Sequence, residues 1–167
     1  RPVGGDVRID FADPAEPTGI EAFEAVFSFR QKMYIRKMGF SGAGNLAMHR
    51  SLFERVGPFG PIGTAEDRAW GQKATAMGAP PRFIPRMIVF HPARSTLDDV
   101  KGRWGRIISH DFNKHVESGR AKLLWEMRAW AVLASAVAHA PWLLLSTRVP
   151  TLKARFRGLA VLFDIRL

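Results

Sequence analysis

The 167 residues contain no cysteine, which excludes disulfides and thiolate zinc sites and leaves the redox compartment open. No charged-then-apolar signal segment follows the first residue, Arg1, and the absence of Met there points to a cut end. Internal repeats and low-complexity tracts are also missing, which excludes repeat architectures. Acidic residues thin out along the chain. Residues 1–100 carry 13 Lys/Arg against 11 Asp/Glu, net +2, whereas residues 101–167 carry 12 against 4, net +8. One end of the molecule is therefore suited to an acidic surface, and an anionic membrane face fits as well as a phosphate backbone. No aromatic-basic recognition motif supports nucleic acid as that partner. Charge is absent from residues 129–147, but His139 and Pro141 interrupt this stretch. It barely reaches the ~20 residues of a bilayer span, so two helices lying on a membrane surface or against the body are expected in preference to a span.

A 47% hydrophobic content supports one ordinary core and an appendage. The organising stretch is residues 64–78, where Thr64, Glu66 and Asp67 predict a helix start and Gly78 its stop. Two adjacent carboxylates at an electropositive helix start suit a site floor, and they equally suit simple compensation of the helix dipole. Before this stretch, Val7, Ile9 and Phe11 alternate with Asp6, Arg8 and Asp10, predicting a half-buried strand. Thr18 and Glu21 form a capping box for a helix with Ile20, Phe23, Phe27 and Tyr34 on an apolar stripe, expected to continue to about Gly39. Two glycines, Gly42 and Gly44, precede Asn45, which reads as a site residue or as a turn asparagine. Residues 51–56 read as a short helix closed by Gly57-Pro58. Residues 82–84 and 87–90 are two short apolar runs separated by Pro85-Arg86, each the length of a strand. His91 ends the second, a place where open α/β sheets keep ligand-binding groups, although an isolated histidine is also an ordinary structural residue. Ser95, three residues before Asp98, and Thr96, three before Asp99, both offer a cap for a basic helix reaching about Ser118.

In order, Val3-Gly-Gly5, Phe29-Arg-Gln31, Gly44-Asn45-Leu-Ala with Arg50, Phe53 and Val56-Gly57-Pro-Phe59, then Glu66-Asp67, then Val89-Phe-His91-Pro-Ala-Arg94 resemble the second half of a family 2 glycosyltransferase of the GT-A type. The match covers residues 1 to about 106. The resemblance implies an α/β fold, a partial GT-A mixed sheet with flanking helices, followed by a C-terminal helical extension. Its division would be 1–118 for the acceptor-side half of the catalytic domain and 119–167 for a basic, apolar, membrane-associated extension.

The resemblance also implies roles. Asp67 would be the general base for an acceptor hydroxyl, and Glu66 would bind the acceptor or orient the site. Asn45, Gly44 and Trp70 would line the acceptor side. His91 would reach a divalent metal, Mn or Mg, held mainly by the other half of the domain, and Arg94 and Arg103 would neutralise the departing diphosphate. The implied partners are a nucleotide-sugar donor, a lipid-linked or saccharide acceptor and an anionic membrane, at the cytoplasmic face of the cell membrane. Three departures bear on this. Lys73 stands where the family usually has Arg, and Val100 replaces the glutamine that precedes the Arg-Trp pair of processive members. The Asp-x-Asp of the nucleotide-binding half is absent, since Asp6, Asp10 and Asp13 have the wrong spacing. Little or no transferase activity is therefore expected from these residues alone. The competing reading is a catalytically inert module held on a membrane surface by the basic C-terminal helices.

Overall fold

The computed structural model describes residues 1–61 and 65–167. Along the chain come β1 (Val3–Asp10), α1 (Gly19–Phe27), α2 (Gln31–Met33) running into a π-helical turn (Tyr34–Met38), and a 3₁₀ turn (Ala43–Asn45). They are followed by β2 (Leu46–Ala47), α3 (Arg50–Val56), α4 (Glu66–Ala76), β3 (Arg82–Pro92), α5 (Leu97–Glu117), α6 (Lys122–Leu144) and α7 (Leu152–Arg166). The protein is mixed α/β, as expected, with a small sheet of order β2-β1-β3. In its antiparallel pair, Val3 lies opposite Ala47 and Gly4 opposite Leu46. On the other side Arg82 N–H donates to Pro2 O at 2.9 Å, joining the start of β3 to that of β1.

Local sequence explains most of these boundaries. In β1 the alternation holds at its far end, where Val7 and Ile9 are buried while Arg8 and Asp10 are exposed. At its near end, Gly4 and Gly5 replace side chains with close backbone approach. A Cβ on Gly5 would lie 1.9 Å from Met87 O. The capping box of α1 is formed as expected, with Glu21 N–H donating to Thr18 Oγ1 at 3.2 Å and Thr18 N–H donating to Glu21 Oε2 at 2.7 Å.

The single helix expected to run to Gly39 is broken. Ser28 turns its carbonyl to Arg103, whose guanidinium donates to it at 2.7 Å, and Arg30 leaves the helical region at φ −89°, ψ 48°. Helical backbone resumes at Gln31 and stops at Gly39, which is left-handed at φ 71°. The two strands expected around Pro85 are one strand. β3 lies on an edge of the sheet, where a residue without N–H leaves no ladder bond unmade.

The residues group into two compact units, 1–8 with 29–91 and 9–28 with 92–167. The core of the first is Leu52, Val56, Trp70, Ala74 and Ala79. That of the second is Phe23, Phe27, Val100, Leu143 and Leu162, so the stripe on α1 is core as its spacing predicts. Residues 119–167 thus share a hydrophobic core with α1. Among the described residues no helix is long and apolar enough to cross a membrane.

Gly5→Ala is expected to cost about 1–3 kcal/mol by urea denaturation, because its methyl group must push Met87 backbone away. Gly44→Ala, where an added Cβ meets nothing within 4 Å, serves as the near-neutral control.

Candidate functional site

The first unit gathers Asp67, the 41–45 loop and Gln31. Helix α4 begins at Glu66 after Ala65, a non-glycine residue in left-handed backbone at φ 53°, ψ 46°, a conformation costing about 1–2 kcal/mol. Thr64, the expected cap, lies outside the described residues. Ala65 provides no side-chain cap. Asp67 turns back on its own helix instead, its Oδ1 accepting from Arg68 N–H at 2.7 Å.

Burial is the largest influence on the Asp67 carboxyl and pushes its pKa above the ordinary 3.8. The Arg68 N–H bond works the other way, the adjacent Glu66 charge adds to the rise, and a bond from Ala43 N–H lowers it again. The net direction is upward. Such a group is a stronger base than an exposed aspartate, and it is held by backbone donors rather than by a cation.

The Gly42-Ala43 segment that supplies one of those donors is positioned by Gln31, which is buried. Gly42 N–H donates to Gln31 Oε1 at 2.9 Å, and Ser41 Oγ donates to the same oxygen at 3.3 Å. A Cβ on Gly42 would sit 2.8 Å from Gln31 Nε2 and so would displace the amide that holds this segment, while meeting Asp67 Oδ2 at an ordinary 3.5 Å. Gly44 is exposed, and a Cβ added there would meet nothing within 4 Å.

Two residues expected on the acceptor side have other work. Asn45 is 3% exposed, and its Nδ2 donates to Asp6 O at 2.7 Å and Met87 O at 3.0 Å, clamping β1 to β3. Trp70 is also 3% exposed. Its Nε1–H donates to Gly57 O at 2.8 Å and its ring packs on Phe53 and Phe59, so it is core and presents no face to an acceptor. The reason is helical phase, since Trp70 shares the buried side of α4 with Gly71 and Ala74.

His91 is exposed at the far end of β3, its ring 5.0 Å from that of Phe29. It offers one imidazole. Among the described residues no group of three or more carboxylates or imidazoles gathers as a metal site.

Arg94 and Arg103 belong to the second unit and meet there through α1. Glu24, 1% exposed, accepts from Arg94 N–H and Ser28 Oγ, each at 2.8 Å, and is ion-paired with the Arg94 guanidinium. Arg103 donates to Ser28 Oγ at 2.8 Å and to Ser28 O at 2.7 Å. Both arginines expected to meet a diphosphate are therefore anchored to α1, Arg94 through a carboxylate that neutralises it. Val100, at the position of the missing glutamine, is fully buried.

Sequence reasoning gave no role to Glu24, Ser28, Gln31 or Ser41. Glu24 did leave a signal, a carboxylate four residues after Ile20 on the apolar stripe, where a charge must be paired if it is buried.

No protein-family model, curated protein or solved structure matches this chain.

Two outcomes follow. A carboxyl whose folded pKa is raised binds its proton more readily in the folded chain, so the stability it contributes is full below pH 3.8 and is lost as pH rises through the folded value. Asp67→Asn should therefore be more stable than the parent at about pH 7 and indistinguishable from it near about pH 3, read by urea midpoints. Glu24→Ala should lower stability by about 3 kcal/mol, since it leaves the Arg94 guanidinium and the Ser28 hydroxyl without their acceptor.

Proposed function

We propose that these residues form the acceptor-side half of an inverting GT-A glycosyltransferase, which transfers sugar from a nucleotide-sugar donor to a lipid-linked or saccharide acceptor. The observation carrying this reading is Asp67, in the first turn of α4, with its carboxyl raised by burial and held by an N–H of the glycine-flanked loop. In the reaction the acceptor oxygen bonds to the anomeric carbon while the bond from that carbon to the diphosphate oxygen breaks. The hydroxyl proton passes to the Asp67 carboxylate, and the bonding pair leaves with the nucleoside diphosphate. Backside attack inverts the anomeric centre. Glu66 orients the site beside the base, and open Gly44 leaves space for the acceptor.

The reading requires a nucleotide-binding half outside these 167 residues. That half would hold a Mn or Mg ion, which would screen the diphosphate, and His91 would be the residue of the acceptor-side half proposed to reach it. Arg94 and Arg103 act on the leaving group only through donors beyond those that bind Glu24 and Ser28, so their first role is to fix the segment after His91. The membrane face is proposed to be cytoplasmic, where nucleotide sugars and anionic lipid meet.

A second reading keeps the membrane and drops the chemistry, making the chain an inert module attached through its C-terminal helices. The apolar residues exposed on α5 and α6 favour it. The two separate on Asp67. In a transferase containing both halves, Asp67→Asn should reduce turnover by about 10²- to 10⁴-fold with donor affinity unchanged. Equal loss of donor binding would remove Asp67 as the base, and unchanged turnover would leave only the inert module.

A further inference from the structure

The sequence places the basic excess in residues 101–167, where Arg148, Lys153, Arg155 and Arg157 form a late cluster. In the structure most of that cluster is turned to internal use. Arg155 donates to Leu144 O at 2.8 Å and to Val149 O at 3.1 and 3.0 Å, closing the end of α6. Lys153 and Arg157 share Glu16 at 2.6 and 3.2 Å. The buried side of α7, at Ala154, Gly158 and Leu162, is packed against α1 and α6, with Gly158 letting the helices close to within contact of Ala22 and Leu143.

Helix α6 is different. Its buried residues are Ala136 and Leu143. Leu123, Met127, Trp130, Val137 and Leu145 recur at helical spacing on the opposite side and are 59–78% exposed. Ala131, Ala134 and Ala138 lie exposed between them, and no charge interrupts residues 129–147. Exposed Glu126, three residues after Leu123, bounds the charge-free part of this face, which runs from Trp130 to the end of α6, about 21 Å at 1.5 Å per residue, an exposed apolar stripe of the kind that marks an interaction site.

The end of this face nearest the α5–α6 turn is basic. Lys114, Arg120 and Lys122 are exposed there, around left-handed Gly119, with Lys122 also 3.6 Å from Glu126 Oε1 in an exposed pair along the helix. Residues 101–128 hold seven Lys/Arg against three Asp/Glu. Trp125, packed on Phe112 and His115, ties the two helices of the hairpin together. An apolar face carrying an exposed Trp and edged by cations has the chemistry of an acidic bilayer interface: acyl chain for the face, phosphate for its edge.

We infer that the outward face of α6 lies in the headgroup layer of an anionic membrane, with Lys114, Arg120 and Lys122 on lipid phosphates. This rests on the membrane as partner and moves the point of attachment from the terminal basic cluster to the α5–α6 hairpin. It is independent of whether the chain takes part in sugar transfer.

Because the chain has no cysteine, single reporters can be placed cleanly. The whole 167-residue chain carrying Trp130→Cys or Phe156→Cys, each an exposed position, is labelled with a polarity-sensitive dye. It is then mixed with phosphatidylcholine vesicles with or without phosphatidylglycerol. The expected result is a blue shift at position 130 with anionic vesicles only and none at 156. Met127→Asp should weaken binding about tenfold while circular dichroism stays unchanged, and Arg120→Ala and Lys122→Ala should weaken it about fivefold each. No association of any form with anionic vesicles would remove the membrane reading itself. A shift at 156 in place of 130 would keep that reading and overturn the α6 face. Equal binding to neutral vesicles would overturn the role of the cations. A concentration-dependent dimer abolished by Met127→Asp, without vesicle binding, would give the face to a second copy of the chain.

Discussion

The first unit depends on one side-chain amide. Asn45 Nδ2 donates to a carbonyl of β1 and a carbonyl of β3, and it does so almost fully out of water. Either carbonyl left unmet at that depth would cost about 1–3 kcal/mol, so the loop carrying Asn45 is drawn onto the sheet. Gln31 completes the attachment by accepting the Gly42 N–H and the Ser41 hydroxyl. Once the loop is fixed, the Ala43 N–H has a fixed direction, and Asp67 is what it meets. The base of the proposed chemistry is thus placed by backbone groups whose positions were decided by an asparagine and a glutamine.

The second unit has a comparable constraint of opposite character. Glu24 buries a full charge, which is tolerable only with a cation and further donors at hand. Arg94 supplies a guanidinium and a backbone N–H, Ser28 a hydroxyl, and Arg103 closes the set through Ser28. The same bonds end α1, because the Ser28 carbonyl that would continue the helix accepts from Arg103. Two positive charges that look available to an anionic ligand are first of all the means by which residues 92–103 are held to α1. In α6 and α7, similar composition comes to opposite ends. The cations of α7 are answered within the unit, while the apolar outer side of α6 meets nothing in it.

Much of the architecture was legible because it is local. The capping box at Thr18 and Glu21, the left-handed stop at Gly39, the Thr96 cap that accepts from Asp99 N–H and the starts of α3 and α5 each need only neighbours a few residues away. The mixed α/β class followed from the alternation in β1 and the helical stripes around it. Errors arose where a distant group intervened. Nothing within residues 18–39 announces that Arg103 will take the Ser28 carbonyl, and Pro85 reads as a strand break unless β3 is known to be an edge.

At the site the same division holds. The sequence by itself determined which residues are candidates for chemistry and that Glu66-Asp67 stand in the first turn of a helix, because residue type and local helical pattern are properties of short segments. Only the tertiary structure decided which of them remain available. Asn45 is spent on two strands, Trp70 is turned into the core by its helical phase, and Arg94 is bound to a carboxylate 70 residues earlier in the chain. Availability depends on what lies across the fold from each side chain, and burial of Asp67, which raises its pKa, is likewise a property of the packed chain and not of its neighbours in sequence.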